Sequence, residues 1–274
     1  ALPIYRTAGS WTPCTTATAA KFTAAGYFFA EMLNDVLSVP VGIIDCSWGG
    51  SRVESWMSRE VLSGYSDIDL TEEGISRVAQ HLRPMVMYNA MLRPVAGYTV
   101  RGFLWYQGES NVGRYMDYAA RLADMVSLWR GLWAQDDLPF YYVEIAPFEY
   151  GNGKSPYLRE AQCRAQELIP NSGMICTNDL VEPYEFCNVH PKNKRDVGYR
   201  LAFMALNKTY GMREIACQSP QYESMEIRDG KARIRFKYMD QGFNRMADIR
   251  GFEICGADKI FYPADAVVEN QFAL

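Results

Sequence analysis

Residues able to move a proton near neutral pH are sparse in this chain. Its 274 residues hold two histidines, His81 and His190. A zinc site built on several imidazoles is therefore nearly excluded, and any imidazole base is one of these two. His190 stands in C187-N188-V189-H190-P191-K192-N193-K194, just before a helical stretch and followed by a proline. A histidine so placed reaches a nucleophile's proton with one ring nitrogen while a carboxylate orients the other. His81, in AQHLRP, reads as a solvated or capping residue.

Three further segments carry chemistry-bearing side chains. W105-Y106-Q107-G108-E109-S110-N111 puts four polar groups and a glycine at the end of an apolar run. Such groups are expensive there unless they face a cleft or bond one another. Gln107 and Asn111 have amide donors for a developing oxyanion, and Glu109 has a carboxylate to orient a partner. D45-C46-S47-W48-G49-G50 has the strand–Ser–Gly–helix order of a nucleophile elbow, with Asp45 where the first glycine should stand. It reads equally as a turn in which Gly49 and Gly50 let the chain leave a strand. G153-K154-S155 ends like a phosphate loop, but the first glycine would fall at Phe148, and Pro156 follows. A bulky residue there blocks the backbone approach to phosphate, so the segment reads as a surface loop.

These segments need a frame. FTAAGYFFAEMLNDVLS at 22–38 has helical apolar spacing and is stopped by Pro40, and VGIID at 41–45 reads as a short buried strand. SRVESWMS at 51–58 could open another helix. Strands are then expected at 98–105, 139–146 and 173–179, alternating with helices at 115–134, 158–168 and 192–210. Strand–helix units of this length predict an α/β fold, a parallel sheet with helices on both faces. Ligands of such sheets gather beyond the carboxyl ends of the strands, where all the segments above except His81 fall. PIYRT at 3–7 reads as a strand remnant. After residue 218 the pattern changes: KARIRFKYM at 231–239 alternates charged and apolar residues, and GFEIC follows. The division expected is a domain at 1–218 and a small β-rich module at 219–274.

Composition narrows the function classes. A net charge of −4 argues against a broadly basic nucleic-acid binder. No apolar run approaches the ~20 residues of a membrane span. Seven dispersed cysteines without a C-x-x-C pair make a disulfide framework a poor reading and buried small hydrophobes the better one.

Taken together, the chain resembles the sialate O-acetylesterase family of the SGNH hydrolases. The stretches that carry this are FTAAGYFFAEML at 22–33, VGIIDCSWGGSRVESWMS at 41–58, YNAML at 88–92 and RGFLWYQGESN at 101–111. DLPFYYVEIAPF at 137–148, LREAQ at 158–162, VHPKNK with VGYRLA between 189 and 202, and GFEICGAD at 251–258 continue it. The resemblance implies an SGNH (flavodoxin-like) sheet and hydrolysis of acetyl esters on sugar hydroxyls, with no metal or cofactor. It implies His190 as base, and Gln107 with Gly49 and Gly50 at the oxyanion hole. Glu109 and Asn111 fall in the same block, and Asp179 is the carboxylate partner for His190. The family often has an acid three residues before the histidine, where this chain has Cys187. A carboxylated sugar would want a cation, for which Arg52, Arg83 and Arg93 are available. The resemblance also implies an exported enzyme.

The family's nucleophilic serine lies in a G-Q-S-N block, and no G-Q-S-N occurs in these residues. Three expectations follow: a fragment whose parent carries the serine, Ser47 as substitute nucleophile, or an inactive homologue that still binds glycans.

Overall fold

A computed structural model of the chain describes residues 9–151, 153–239, 242, 249 and 251–268. It divides into two compact units, Ala1–Cys217 and Gln218–Leu274. PIYRT lies outside the described residues.

The first unit is built on a parallel sheet of β1 (Phe103–Tyr106), β2 (Phe140–Val143) and β3 (Ser172–Ile175), in that order. Trp105, Tyr142 and Met174 stand in register across it. Because side chains alternate between faces, the runs FLWY and FYYV supply two apolar surfaces, and each is covered. On one face Tyr141, Val143 and Ile175 pack with Leu33 and with Val197, Leu201 and Ala205, which lie on α1 (Ala24–Leu37) and on α4 (Lys194–Lys208). On the other, Trp105, Phe140, Tyr142 and Met174 meet α2 (Tyr118–Trp133) and α3 (Ser155–Leu168). Trp129 of α2 sits edge-on to Trp56, Phe103, Trp105 and Phe140. Each fully buried large apolar side chain here is worth about 1.5–3 kcal/mol. Helices on both faces of a parallel sheet are the α/β arrangement that the sequence alternation predicts.

Two expectations are corrected. VGIID at 41–45 is not a strand. A strand is defined by its neighbour's hydrogen bonds, and β1 is the edge of the sheet, with β2 its only partner among the described residues. The helix expected at 51–58 is a 3-10 turn, Val53–Trp56, followed by the single helical turn Arg59–Leu62. The expectation of buried cysteines fails too: Cys14 and Cys187 are exposed, the others half-buried, and all seven are free thiols.

In the second unit, β4 (Gln221–Arg228) and β5 (Lys231–Lys237) form an antiparallel hairpin, and β6 (Glu253–Cys255) pairs antiparallel with β7 (Phe261–Pro263).

Candidate active site

The carboxyl ends of β1, β2 and β3 are stitched together by buried amides. Gln162, on α3 within LREAQ, accepts from the Ile145 amide at 2.9 Å and donates to the Gln107 carbonyl at 3.1 Å. Gly108, at φ 152°, lies so close to α3 that a Cβ would fall 2.6 Å from Ile145 Cγ2 and 3.0 Å from Gln162 Nε2. Only glycine serves there, which explains the glycine inside Q-G-E-S-N. Arg159 on α3 pairs with Glu144 beyond β2 (Nε to Oε1, 3.2 Å) and donates to Asn178 beyond β3.

The Q-G-E-S-N block and the 47–56 loop are joined side by side. Gln107 Nε2 donates to the Ser51 carbonyl at 2.9 Å and to Asn111 Oδ1 at 2.8 Å, while its oxygen accepts from Tyr118 at 3.0 Å. Asn111 also accepts from the Val53 amide and donates to Glu54. Ser110 Oγ donates to the Gly50 carbonyl at 2.8 Å, and Arg52 Nε to the Ser110 carbonyl at 3.2 Å. Beneath them the buried Glu54 takes Arg121 at 2.6 Å and Arg114 at 3.1 Å. Both hydrogens of the Gln107 amide are thus committed inside the protein, so Gln107 has no donor to spare for an oxyanion, while the fully buried Asn111 gives one of its two to Glu54. The backbone N–H groups of Gly49 and Gly50, both exposed, have no hydrogen-bond partner among the described residues. Gly50, at φ 73°, lies against the ring of His81: a Cβ there would fall 3.2 Å from His81 Cδ2. His81, distant from strand ends in sequence, is therefore a neighbour of this loop, and nothing in its flanking residues signals that.

His190 is exposed, with its backbone amide bonded to Asn188 Oδ1. Its ring has no hydrogen-bond partner among the described residues. The carboxylate that feels the His190 charge is the half-buried Glu109. Burial raises the Glu109 carboxyl above the usual range, opposed by backbone N–H groups, then by Lys194 and His190. Lys194, the first residue of α4, donates to Tyr106 Oη at 3.1 Å and lies 4.7 Å over that ring. Lys194 closes the VHPKNK stretch, where nothing in the local sequence marks it out from Lys192. The buried Tyr150 hydroxyl has no hydrogen-bond partner among the described residues and also lies within the field of Glu109.

Two expected members have partners of their own. Asp179 is gripped at both oxygens by Arg200, at 2.8 and 2.5 Å, and that guanidinium holds its carboxyl below the usual range. A carboxylate so engaged has little left for an imidazole. Ser47 Oγ donates to Asp45 at 2.6 Å, with no imidazole as partner. Burial, then Asp45, pushes the neighbouring Cys46 thiol up to about 12, too high for a nucleophile near neutral pH. Among the described residues no group of three or more His, Cys, Asp or Glu side chains is placed to hold a metal.

Comparison with known proteins decides the lineage. The family model for "Carbohydrate esterase, sialic acid-specific acetylesterase" matches residues 11–207. The chain belongs to that family. A sialate O-acetylesterase from Mus musculus is 27% identical over 281 residues, covering 86% of this chain and 52% of its own length. The Homo sapiens sialate O-acetylesterase is 28% identical over 254 residues, covering 86% and 49%. The chain thus spans about half the length of these family members. The crystal structure of a carbohydrate acetylesterase from Xanthomonas citri superposes with a TM-score of 0.83 at 32% identity, over 99% of this chain and 61% of that one.

Proposed function

We infer that this chain carries the histidine and oxyanion side of a carbohydrate O-acetylesterase, acting on acetyl esters of sugar hydroxyls. The observation that carries this reading is that the block holding Glu109, on whose carboxyl the His190 charge acts, is bonded through Ser110 to Gly50, where the Gly49 and Gly50 amides are unpaired among the described residues. In the reaction a serine attacks the acetyl carbonyl, and His190 takes its proton. The Gly49 and Gly50 amides hold the oxyanion. His190 then returns the proton to the departing sugar oxygen, and water, activated by the same imidazole, releases acetate. Glu109 orients His190, in the place given to Asp179 above. Gln107 and Asn111 are positioning residues that hold the glycine loop.

The nucleophile in this reading is the serine of a G-Q-S-N block, which these 274 residues do not contain. Ser47 is the less favoured choice because its hydroxyl is bound to Asp45. Acetylated sialic acid is the preferred substrate class in view of the family's description. Export from the cytoplasm belongs to the same proposal; among the described residues no helix is long and apolar enough to cross a membrane.

The test is acetate release from O-acetylated sialic acid and acetylated xylo-oligosaccharide by a chain that also carries the G-Q-S-N block, alongside intact mass of these 274 residues after a serine-reactive phosphonate. Release that disappears in His190→Ala, with the circular dichroism spectrum kept, is expected. Turnover surviving that change removes His190 from the mechanism, and an adduct on Ser47 makes Ser47 the nucleophile. Sugar binding without acetate release would favour a glycan-binding homologue.

A further inference from the structure

The cations around the sheet's carboxyl edge differ in how far they are already used. Arg159 is paired with Glu144 and Asn178, and Arg200 with Asp179. Arg114 and Arg121 share Glu54 and Asp67. Lys194 is held by Tyr106, and Lys192 lies 5.4 Å over the Tyr184 ring. Arg83, one of the three arginines available from sequence, is spent on the Val78 and Ser76 carbonyls. Arg52 is different. Its Nε is fixed on the Ser110 carbonyl at 3.2 Å, and its two terminal nitrogens have no hydrogen-bond partner among the described residues. Glu54, the nearest acid acting on it, already receives Asn111, Arg114 and Arg121.

A half-buried guanidinium with one edge anchored and the other open is preorganised for a planar anion, because its fork matches a carboxylate at two points. Its surroundings suit a sugar. Arg52 follows directly on the glycine loop and is bonded to the residue after Glu109. On the same turn the Trp48 indole is 47% exposed, a flat apolar surface of the kind on which a pyranose ring lies. The turn is rigid, since Ser51 Oγ donates to the Trp48 carbonyl at 2.8 Å and accepts from Trp56 Nε1 at 2.9 Å.

We propose that Arg52 is the carboxylate anchor of the site, so that the protein selects a carboxylated sugar through Arg52 while Trp48 supports its ring. The inference rests on the esterase reading above and adds the residue that selects the sugar's carboxylate.

The experiment is an NMR titration of the wild-type chain, Arg52→Gln and Arg52→Lys with N-acetylneuraminic acid and with its methyl ester. The Gln variant is expected to bind the acid about tenfold more weakly or worse, as loss of a charge-assisted pair implies, and the ester as the wild type does. Lys is expected to restore part of the difference, having charge without the fork. In the wild type, added salt should weaken binding of the acid and spare the ester, a readout that survives if Arg52→Gln does not fold. Equal binding of acid and ester by the wild type, or an equal loss of both in the Gln variant, overturns the anchor. If neither sugar binds while acetate is still released from acetylated xylo-oligosaccharide, the anchor is wrong and the esterase reading stands. If neither binds and a chain that carries the G-Q-S-N block releases no acetate from any substrate, the esterase reading falls with it.

Discussion

The side-chain amide of Gln107 gives one hydrogen to the Ser51 carbonyl and the other to Asn111 Oδ1, at 2.9 and 2.8 Å. It is thereby the clamp between the glycine loop and the Q-G-E-S-N block. Gln107→Ala leaves buried polar groups without partners and is expected to cost about 1–3 kcal/mol, read by urea unfolding. Gln107→Glu should cost more, because a carboxylate then faces a carbonyl and another amide oxygen. Acetate release is expected to fall in both. Unchanged stability in Gln107→Ala would show that the clamp is not needed.

Glu54 anchors the same junction from below. Its side chain is 4% exposed and Arg121's is 1%. Replacing Glu54 by Gln removes the buried partner of Arg121 and leaves it only partly exposed carboxylates, and a loss of up to about 3–5 kcal/mol is expected. Asp67, on the exposed side of that network at 48%, is expected to matter far less. Equal losses for Glu54→Gln and Asp67→Asn would contradict this ranking.

Glu109 is expected to trade stability for position. Burial lifts its carboxyl above the unfolded value of about 4.3. A raised folded pKa contributes stability that is present below that unfolded value and is lost as pH rises through the raised one. Glu109→Gln should therefore match the wild-type Tm near pH ~4 and exceed it increasingly towards neutrality, while losing acetate release. A Tm difference that stays constant with pH would remove this account.

Asp179 should behave in the opposite sense. Arg200 lowers its carboxyl, so its contribution is present above the unfolded pKa of about 3.9 and is lost as pH falls through the lowered value. Asp179→Asn is expected to lower Tm at neutral pH, with the gap closing in acid, and to leave acetate release nearly intact. A collapse of activity in this variant, with Glu109→Gln active, would return the partner role to Asp179.

Much of the frame could be read from periodicity. β2 falls within its expected segment, β1 runs one residue past its own and β3 starts one residue early; α1, α2 and α4 lie within theirs, while α3 begins three residues ahead of its expected start. What failed depended on neighbours. VGIID has the apolar composition of a strand, but composition says nothing about whether another backbone lies alongside. The site shows the same limit. His190, Gln107, Glu109 and Asn111 could be picked out as polar groups at strand exits, where burial demands a reason. Their hydrogen bonds could not, because whether an amide points at a cleft or at Ser51 is set by long-range packing. Arg200 is 21 residues from Asp179, and His81 is 31 from Gly50, so neither pairing leaves a local signal.

Gly198, in the helix that starts just after His190, touches α1 directly: a Cβ there would fall 2.6 Å from the Ala25 carbonyl oxygen and 2.7 Å from Phe28 Cβ. Main chain rests on main chain at this crossing, with no flexible side chain between to absorb a change. The depth at which His190 is presented is therefore machined into the helix pair, and even an added methyl would lever the histidine loop away from the strand ends. Adaptation of the cleft to bulkier glycans has to come from the loop after β2, which can be recut without moving the base.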